Sequence, residues 1–344
     1  MTRPTWWQPD RHADRRPMLL ARARAQTALR RWFDEQGFLE VDPGALQVSP
    51  GNEAHLHGFE TLALDEDGQA RPLYLHTSPE FAMKKLLAAG ETRIFALTHV
   101  FRNRERTARH SPEFTMLEWY RADQDYTVLM QDAQVLLRLA CQAAGTDHLR
   151  FRGMTCDPAL PPERIAVHEA IARQTGIDLL ASINADGTTN PAPLAAQMAR
   201  KGLRVARDDS WSDLFSALLV LVEPGLGQGR PTILDRYPAA EAALARRLPG
   251  DPRLAERFEL YACGVELANG FGELTDATEQ RRRFEAEMDE KQRVYGHRYP
   301  LDEDFLAALA LMPPAAGIAL GFDRLVMLAT HAPRIDDVIW TPVA

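Results

Sequence analysis

The sequence predicts an α+β fold in which one antiparallel β-sheet is flanked by helices. Three observations carry this. The apolar run Ile94–Phe101 is followed by a polar, glycine-free loop, and a second apolar run, Phe114–Tyr120, returns from it as a hairpin would. The segment Arg257–Asp276, RFELYACGVELANGFGELTD, is rich in Tyr, Val and Phe and broken by Gly264 and Gly270, which points to strands and a turn. Met18–Gln36 and Tyr126–Ala144 carry apolar residues at helical spacing and run into Gly37 and Gly145, which stop them.

Taken in order, residues 1–16 are Pro- and Arg-rich and read as an extended N-terminal arm before a domain spanning 17–344. In the first helix Ala21, Ala25, Ala28 and Trp32 share a face. His55, His57 and Glu60 superficially suggest metal ligands, but no third ligand partners the histidines. Leu73–His76 is a short strand, after which Thr77-Ser78-Pro79-Glu80 opens a helix over Phe81–Ala89 in capping-box spacing. Residues 156–247 are Pro- and Ala-rich, with helices at Val167–Gln174, Pro193–Lys201 and Trp211–Val222, and read as a helical insertion. A strand follows at Pro231–Leu234. Arg281–Arg293 reads as a solvated charged helix, and Gly317–Arg324 as a glycine-spaced strand entering a helix.

Composition narrows the function. At 344 residues, 45% hydrophobic and 26% charged, the chain suits one large domain or two small ones with a full core. A net charge of −8 argues against a general nucleic-acid binder or a membrane-surface protein. Cys141, Cys156 and Cys263 lie far apart and form no CxxC pair, so reduced thiols are expected rather than a disulfide frame or zinc site. The basic start lacks the apolar core of a signal peptide, and no run approaches the roughly 18 apolar residues of a spanning helix. The expectation is a soluble cytoplasmic protein.

The chemistry concentrates in two places. Arg102 ends a buried strand, where a guanidinium requires an anionic partner, and Arg104, Arg106, Arg109 and His110 crowd the same hairpin mouth. Glu118 and Tyr120 add polar groups to the returning strand, so a phosphate-bearing ligand is indicated. Glu259 and Glu266 would lie across a hairpin from each other, where paired carboxylates repel unless a cation stands between them.

These residues carry a resemblance. Phe101-Arg102-Asn103 followed by His110-Ser111-Pro112-Glu113-Phe114 resembles motif 2 of the class II aminoacyl-tRNA synthetases in its lysyl form. Gly37–Leu46 resembles motif 1, the dimer interface of that family, and Gly317–Arg324 resembles motif 3. The spacing of Glu259, Glu266, Asn269-Gly270 and Glu273 is similar to the lysyl pattern, as are Thr77–Glu80 and the turn Asp235–Pro238. The likeness runs from about Pro17 to the end and implies a class II catalytic domain. Departures are Arg104, where the family has Glu with Glu105 now following, Ser111 in place of Asn, and Ala319 in place of the middle glycine of motif 3.

The resemblance implies ATP and Mg²⁺ as cofactors and an aminoacyl-adenylate as intermediate. Arg102 and Arg324 would be the catalytic pair, on the α- and γ-phosphates, with His110 beside the γ-phosphate and Phe114 stacked on adenine. Asn103, Arg104, Glu105, Ser111, Glu266, Leu267 and Gly321 would complete the ATP site, and Glu259 with Glu266 would hold Mg²⁺. Ser78, Pro79, Glu80, Glu118, Tyr120 and Ala319 would line the amino-acid pocket, with Asn269 on the substrate carboxylate and Glu273 on the distal amine.

Thr115–Tyr120 and Ala319 resemble a truncated, protein-modifying branch of the family more closely. That branch implies lysine or (R)-β-lysine as donor and a lysine side chain of elongation factor P as acceptor. A minimal lysine–tRNA ligase and a non-catalytic regulatory paralogue are the alternatives. Only a short arm precedes the first helix, so an anticodon-binding OB-fold, and tRNA as acceptor, are not expected. The motif 1 likeness implies a homodimer through Met18–Leu46.

Overall fold

The computed structural model describes residues 5–343. Its strands in the central sheet are β1 (Leu39–Glu40), β2 (Arg93–Phe101), β3 (Glu113–Ala122) and β4 (Glu163–Ala166), then β5 (Thr232–Asp235), β6 (Arg257–Ala262), β7 (Val265–Gly272) and β8 (Ala315–Gly321). They lie side by side in the order β1-β2-β3-β8-β7-β6-β5-β4. Only the outer pairs, β1 with β2 and β4 with β5, run parallel; the interior is antiparallel as expected. Strand β8 inserts between the two hairpins, so sequence blocks far apart become lateral neighbours. A smaller sheet, of residues 46–47, 59–64 and 70–75, stands beside it.

Helices α1 (Pro9–Glu35), α2 (Glu80–Ala88), α3 (Thr127–Ala144) and α4 (Val167–Thr175) precede α5 (Pro191–Arg200) and α6 (Trp211–Val222). Helices α7 (Ala277–Tyr295), α8 (Glu303–Leu309) and α9 (Phe322–Ala329) follow. Opposed residues on paired strands share a face. On one face, Leu117, Trp119, Phe258, Leu260, Ile318 and Leu320 are buried in a core that includes residues of α1, α3 and α9. Phe33 of α1 stacks on Phe95 at 4.3 Å and meets Trp119 edge-on at 5.6 Å. That face is apolar and closed, which leaves the opposite face to carry polar groups.

The first helix begins nearer the N-terminus than Met18. Pro9 and Asp10 are favoured in a first helical turn, and Pro17 falls inside the helix without ending it. Arg15 is buried there and donates to Ile339 O, a tertiary contact that offsets the lost backbone bond. Residues 9–16 are therefore helical, not extended, and residues 1–4 of the expected arm lie outside the described residues.

Strands β4 and β5 bracket the helical excursion of α4, α5 and α6, which share their own core around Ile171, Leu194, Trp211 and Phe215. Helix α7 is not merely a solvated face. Gln280, Arg283, Phe284, Met288 and Lys291 recur at helical spacing and are buried. Its buried cations find carbonyl oxygens: Arg283 donates to Ala242 O at 2.6 Å and Ala245 O at 2.9 Å, and Lys291 to Ala54 O at 2.8 Å and Leu56 O at 2.6 Å. All three cysteines are buried free thiols. Among the described residues, no helix is long and apolar enough to cross a membrane.

Candidate active site

Register alone gathers most of the site. Across β3 and β8, Tyr120 faces Gly317 and Glu118 faces Ala319; across β8 and β7, Ala319 faces Asn269; across β7 and β6, Asn269 faces Glu259. Glu118, Tyr120, Ala319, Asn269, Glu259 and Glu266 thus share the face opposite the α1/α3/α9 core.

At one end lie the cations. Arg102 N donates to Pro112 O at 2.8 Å, closing the β2–β3 hairpin, and Asn103 N donates to His57 O at 2.7 Å. The Arg102 Nε donates to Thr77 O at 3.2 Å, and its guanidinium lies 5.4 Å from the Phe114 ring. Arg324, in the first turn of α9, donates from Nη1 to Glu266 O at 3.0 Å and from Nε to Arg109 O at 3.4 Å. His110 packs among these groups; burial, then Arg324, Arg109 and Arg102, lower its pKa to about 4. It is therefore neutral at pH 7, with Thr107 Oγ1 at 2.7 Å from Nδ1. Three cations and few anions make an anion-binding cleft.

The loop does not aim all its charges there. Arg104 adopts a left-handed φ of 66° and lies 5.7 Å from the Tyr295 ring, while Arg106 donates to Val343 O at 2.9 Å. Glu105 is half-buried and Ser111 buried. His55 and His57 lie in the loop before the small-sheet strand Phe59–Leu64, against Tyr295 of α7.

At the other end is an acidic pocket. Ser78 Oγ donates to Glu118 Oε2 at 2.7 Å and Tyr120 OH donates to Glu118 Oε1 at 2.6 Å. The expected capping box is not formed: Pro79 is the N-cap and Glu80 the first helical residue, so the Glu80 carboxylate reaches Lys84 at 2.5 Å. The same Lys84 Nζ lies 2.5 Å from Glu273 Oε2. Burial, then Glu80, pushes the Glu118 carboxyl up to about 8 despite its two donors. Gly317 is demanded by space, since a Cβ there would come within 2.2 Å of the Tyr120 ring and 2.4 Å of Glu273 Oε1. Gly321 is not, as a Cβ would meet only the Arg324 side chain, at 3.6 Å or more.

Between the two ends stand Glu259, Glu266 and Asn269. Glu259 accepts from Arg257 and from Tyr261 OH, each at 2.7 Å. Burial and then Glu259 raise the Glu266 pKa, although Arg324 Nη1 lies 3.6 Å from Glu266 Oε2. Two hard carboxylates on adjacent strands at the edge of an anion cleft fit a Mg²⁺ that takes its other oxygens from phosphates and water. Asn269 Oδ1 is buried with no hydrogen-bond partner among the described residues, as a ligand contact would require. Leu267 turns its side chain into the core, leaving only its backbone for a ligand.

The residue that sequence reasoning missed is Lys84. Its signal was the Glu80/Lys84 i,i+4 spacing, which on an ordinary helix reads as a solvated pair.

Residues 5–344 match the family model described as tRNA synthetases class II (D, K and N). Similar relatives include the elongation factor P–(R)-β-lysine ligase of Sodalis glossinidius, 40% identical over 97% of this chain and 96% of the relative. Relatives of the same name in Haemophilus influenzae (strain PittGG) and Klebsiella pneumoniae are 40% and 39% identical, each over 98% of both chains.

Proposed function

Because this chain belongs to the class II tRNA synthetase family (D, K and N), we propose that it is an ATP-dependent ligase for elongation factor P. It activates (R)-β-lysine as the aminoacyl-adenylate and transfers the β-lysyl group to a lysine side chain of that factor, the reaction named for its relatives. The observation that carries the reading is the polarity of one sheet face. An arginine cleft for a triphosphate sits at one end and a pocket of Glu80, Glu118 and Glu273 for a diamino acid at the other.

The chemistry follows from charge. The substrate carboxylate attacks the α-phosphorus of ATP, the P–O bond to the β-phosphate breaks, and pyrophosphate leaves. Both reactants are anionic, and Arg102 lowers their repulsion by binding oxygens of each. Its Nε is tied to Thr77 O, so the fork is held before substrate arrives. Arg324 and His110 take the γ-phosphate, Phe114 stacks on adenine, and Asn103, Glu105 and Ser111 complete the nucleotide wall. Glu259 and Glu266 would hold Mg²⁺, which supplies charge neutralisation of the leaving pyrophosphate. Asn269 receives the substrate carboxylate, and the acidic pocket receives its ammonium groups. In the second step the acceptor amine attacks the acyl carbon, AMP leaves, and an amide forms.

The protein works as a cytoplasmic homodimer. Leu39 and Leu46, inside the motif 1 region, are 53% and 54% exposed, and such exposed leucines support a partner copy there.

The test is ATP–pyrophosphate exchange with (R)-β-lysine and α-lysine, followed by transfer to elongation factor P or to tRNA. Exchange favouring (R)-β-lysine and labelling of the factor are expected. Robust charging of tRNA would overturn the reading.

A further inference from the structure

Lys84 is a charged side chain with almost no access to water, at 1% exposure, in the floor of the amino-acid pocket. Its Nζ stands 2.5 Å from Glu80 Oε1 and 2.5 Å from Glu273 Oε2. These carboxylates arrive from different elements, Glu80 from the first turn of α2 and Glu273 from just beyond β7, and the Lys84 ammonium joins them. Neighbouring Lys85 turns away to Asp302 and Asp304, each at 2.9 Å. From β3, Glu118 and Tyr120 face the same pocket, and Arg246, the other cation near Glu273 among the described residues, is already paired with Glu256 at 2.5 Å.

We infer that Lys84 is a positioning and specificity-determining residue, the resident counter-ion that sets the pocket's charge to match a diamino acid. Once the incoming ammonium has displaced the Glu118 proton, three pocket carboxylates less one internal ammonium present two formal negative charges, and the substrate brings two ammonium groups. The match is one of number as well as sign. Without Lys84 the buried acids repel, one takes up a proton, and the pocket no longer presents Glu80 and Glu273 as fixed acceptors. Burial alone would lower the Lys84 pKa, but Glu273 and Glu80 outweigh it and raise it, so the cation persists at working pH. The inference rests on reading this pocket as the diamino-acid site.

Charge matching makes a prediction that a merely structural lysine does not. Glu80→Gln alone leaves one net negative charge, whereas Lys84→Met with Glu80→Gln restores two. The double variant should therefore have an amino-acid KM at least about fivefold below that of Glu80→Gln, with the ATP KM unchanged. Lys84→Met alone should raise the amino-acid KM about tenfold or more, and Lys84→Arg should recover most of it. An amino-acid KM in the double variant equal to or above that of Glu80→Gln overturns the inference, as does a double variant that fails to fold. Wild-type exchange with (R)-β-lysine run alongside separates this failure from that of the proposed function. Melting of the substrate-free proteins gives a readout independent of any substrate. Lys84→Met should lose more stability, relative to wild type, at about pH 8.5 than at about pH 6, because the unpaired acids hold protons more tightly folded than unfolded. A pH-independent loss would overturn the inference even if no diamino acid bound.

Discussion

Arg22 and Asp323 stand 301 positions apart in the chain and meet as an ion pair closed off from solvent. The second Asp323 oxygen accepts from Thr115 N at 2.8 Å, and Arg22 also donates to Thr115 Oγ1 at 2.7 Å. One carboxylate therefore ties α1, the return strand β3 and the start of α9. Arg324 is the next residue, so this tie fixes the root of an arginine of the anion cleft.

Breaking that pair strands a buried charge. Asp323→Asn should destabilise the fold by about 3–5 kcal/mol, while an apolar replacement of both partners should cost much less. Denaturant unfolding of the single and double variants measures this. A loss below about 1 kcal/mol would show that Arg22 finds another acceptor.

Glu118 makes both stability and binding depend on pH. Its folded pKa of about 8 exceeds the unfolded carboxylate value, so the folded state holds an extra proton between the two. This contribution to stability is full below the unfolded pKa and is lost as pH rises towards 8. An incoming ammonium favours the ionised form, so diamino-acid binding near pH 7 should expel a proton. Calorimetry in buffers of different ionisation enthalpy reads that proton directly. Glu118→Gln should abolish the release, and persistence of it would assign the proton to another group.

Arg102→Ala should lower ATP–pyrophosphate exchange by about 10²–10³-fold, the usual loss for a charge-assisted contact made mainly in the transition state. Thermal melting should barely move, since Arg102 is only half-buried and makes one backbone bond. Near-wild-type exchange would remove it from the mechanism.

Ala319 lies between Glu118 and Asn269 on the ligand face. If Asn269 receives the substrate carboxylate as proposed, a methyl at 319 would narrow the pocket beside it, disfavouring an α-amino group over a β-amino isomer. One methyl shifts discrimination by roughly 1–3 kcal/mol, or about 10–200-fold. Ala319→Gly should raise kcat/KM for α-lysine relative to (R)-β-lysine by a factor in that range. An unchanged ratio would mean that donor choice is set elsewhere.

The dimer is tested by Leu39→Glu combined with Leu46→Glu. Both side chains are exposed, so the monomer fold should survive while light scattering reports half the mass. An unaltered dimer would place the interface on another surface.

Local patterns determined what the sequence alone could determine. The β2–β3 and β6–β7 hairpins followed from alternation and glycine placement, and α3 ended at Gly145 because that residue takes a left-handed φ of 77°. Arg102, Glu118, Tyr120, Glu259 and Glu266 were legible for the same reason, since arginines at a strand end and carboxylates on strands need partners that a short window can show to be missing, whereas Ser78, Glu80, Asn269, Glu273 and Arg324 came from the family resemblance. Tertiary structure alone decided where charges went. Lys291 sits on a helix that reads as solvated and Lys84 at an i,i+4 spacing from Glu80 that reads as a solvated pair, yet both are buried, one on carbonyl oxygens and the other between carboxylates. Arg104 left the cleft for an aromatic ring on α7, and Pro17 stayed inside a helix secured by distant contacts. A side chain's charge is a property of its residue, but the free energy of burying that charge depends on partners brought from hundreds of positions away. The insertion of β8 between the two hairpins brought those partners together, and no local period encodes it.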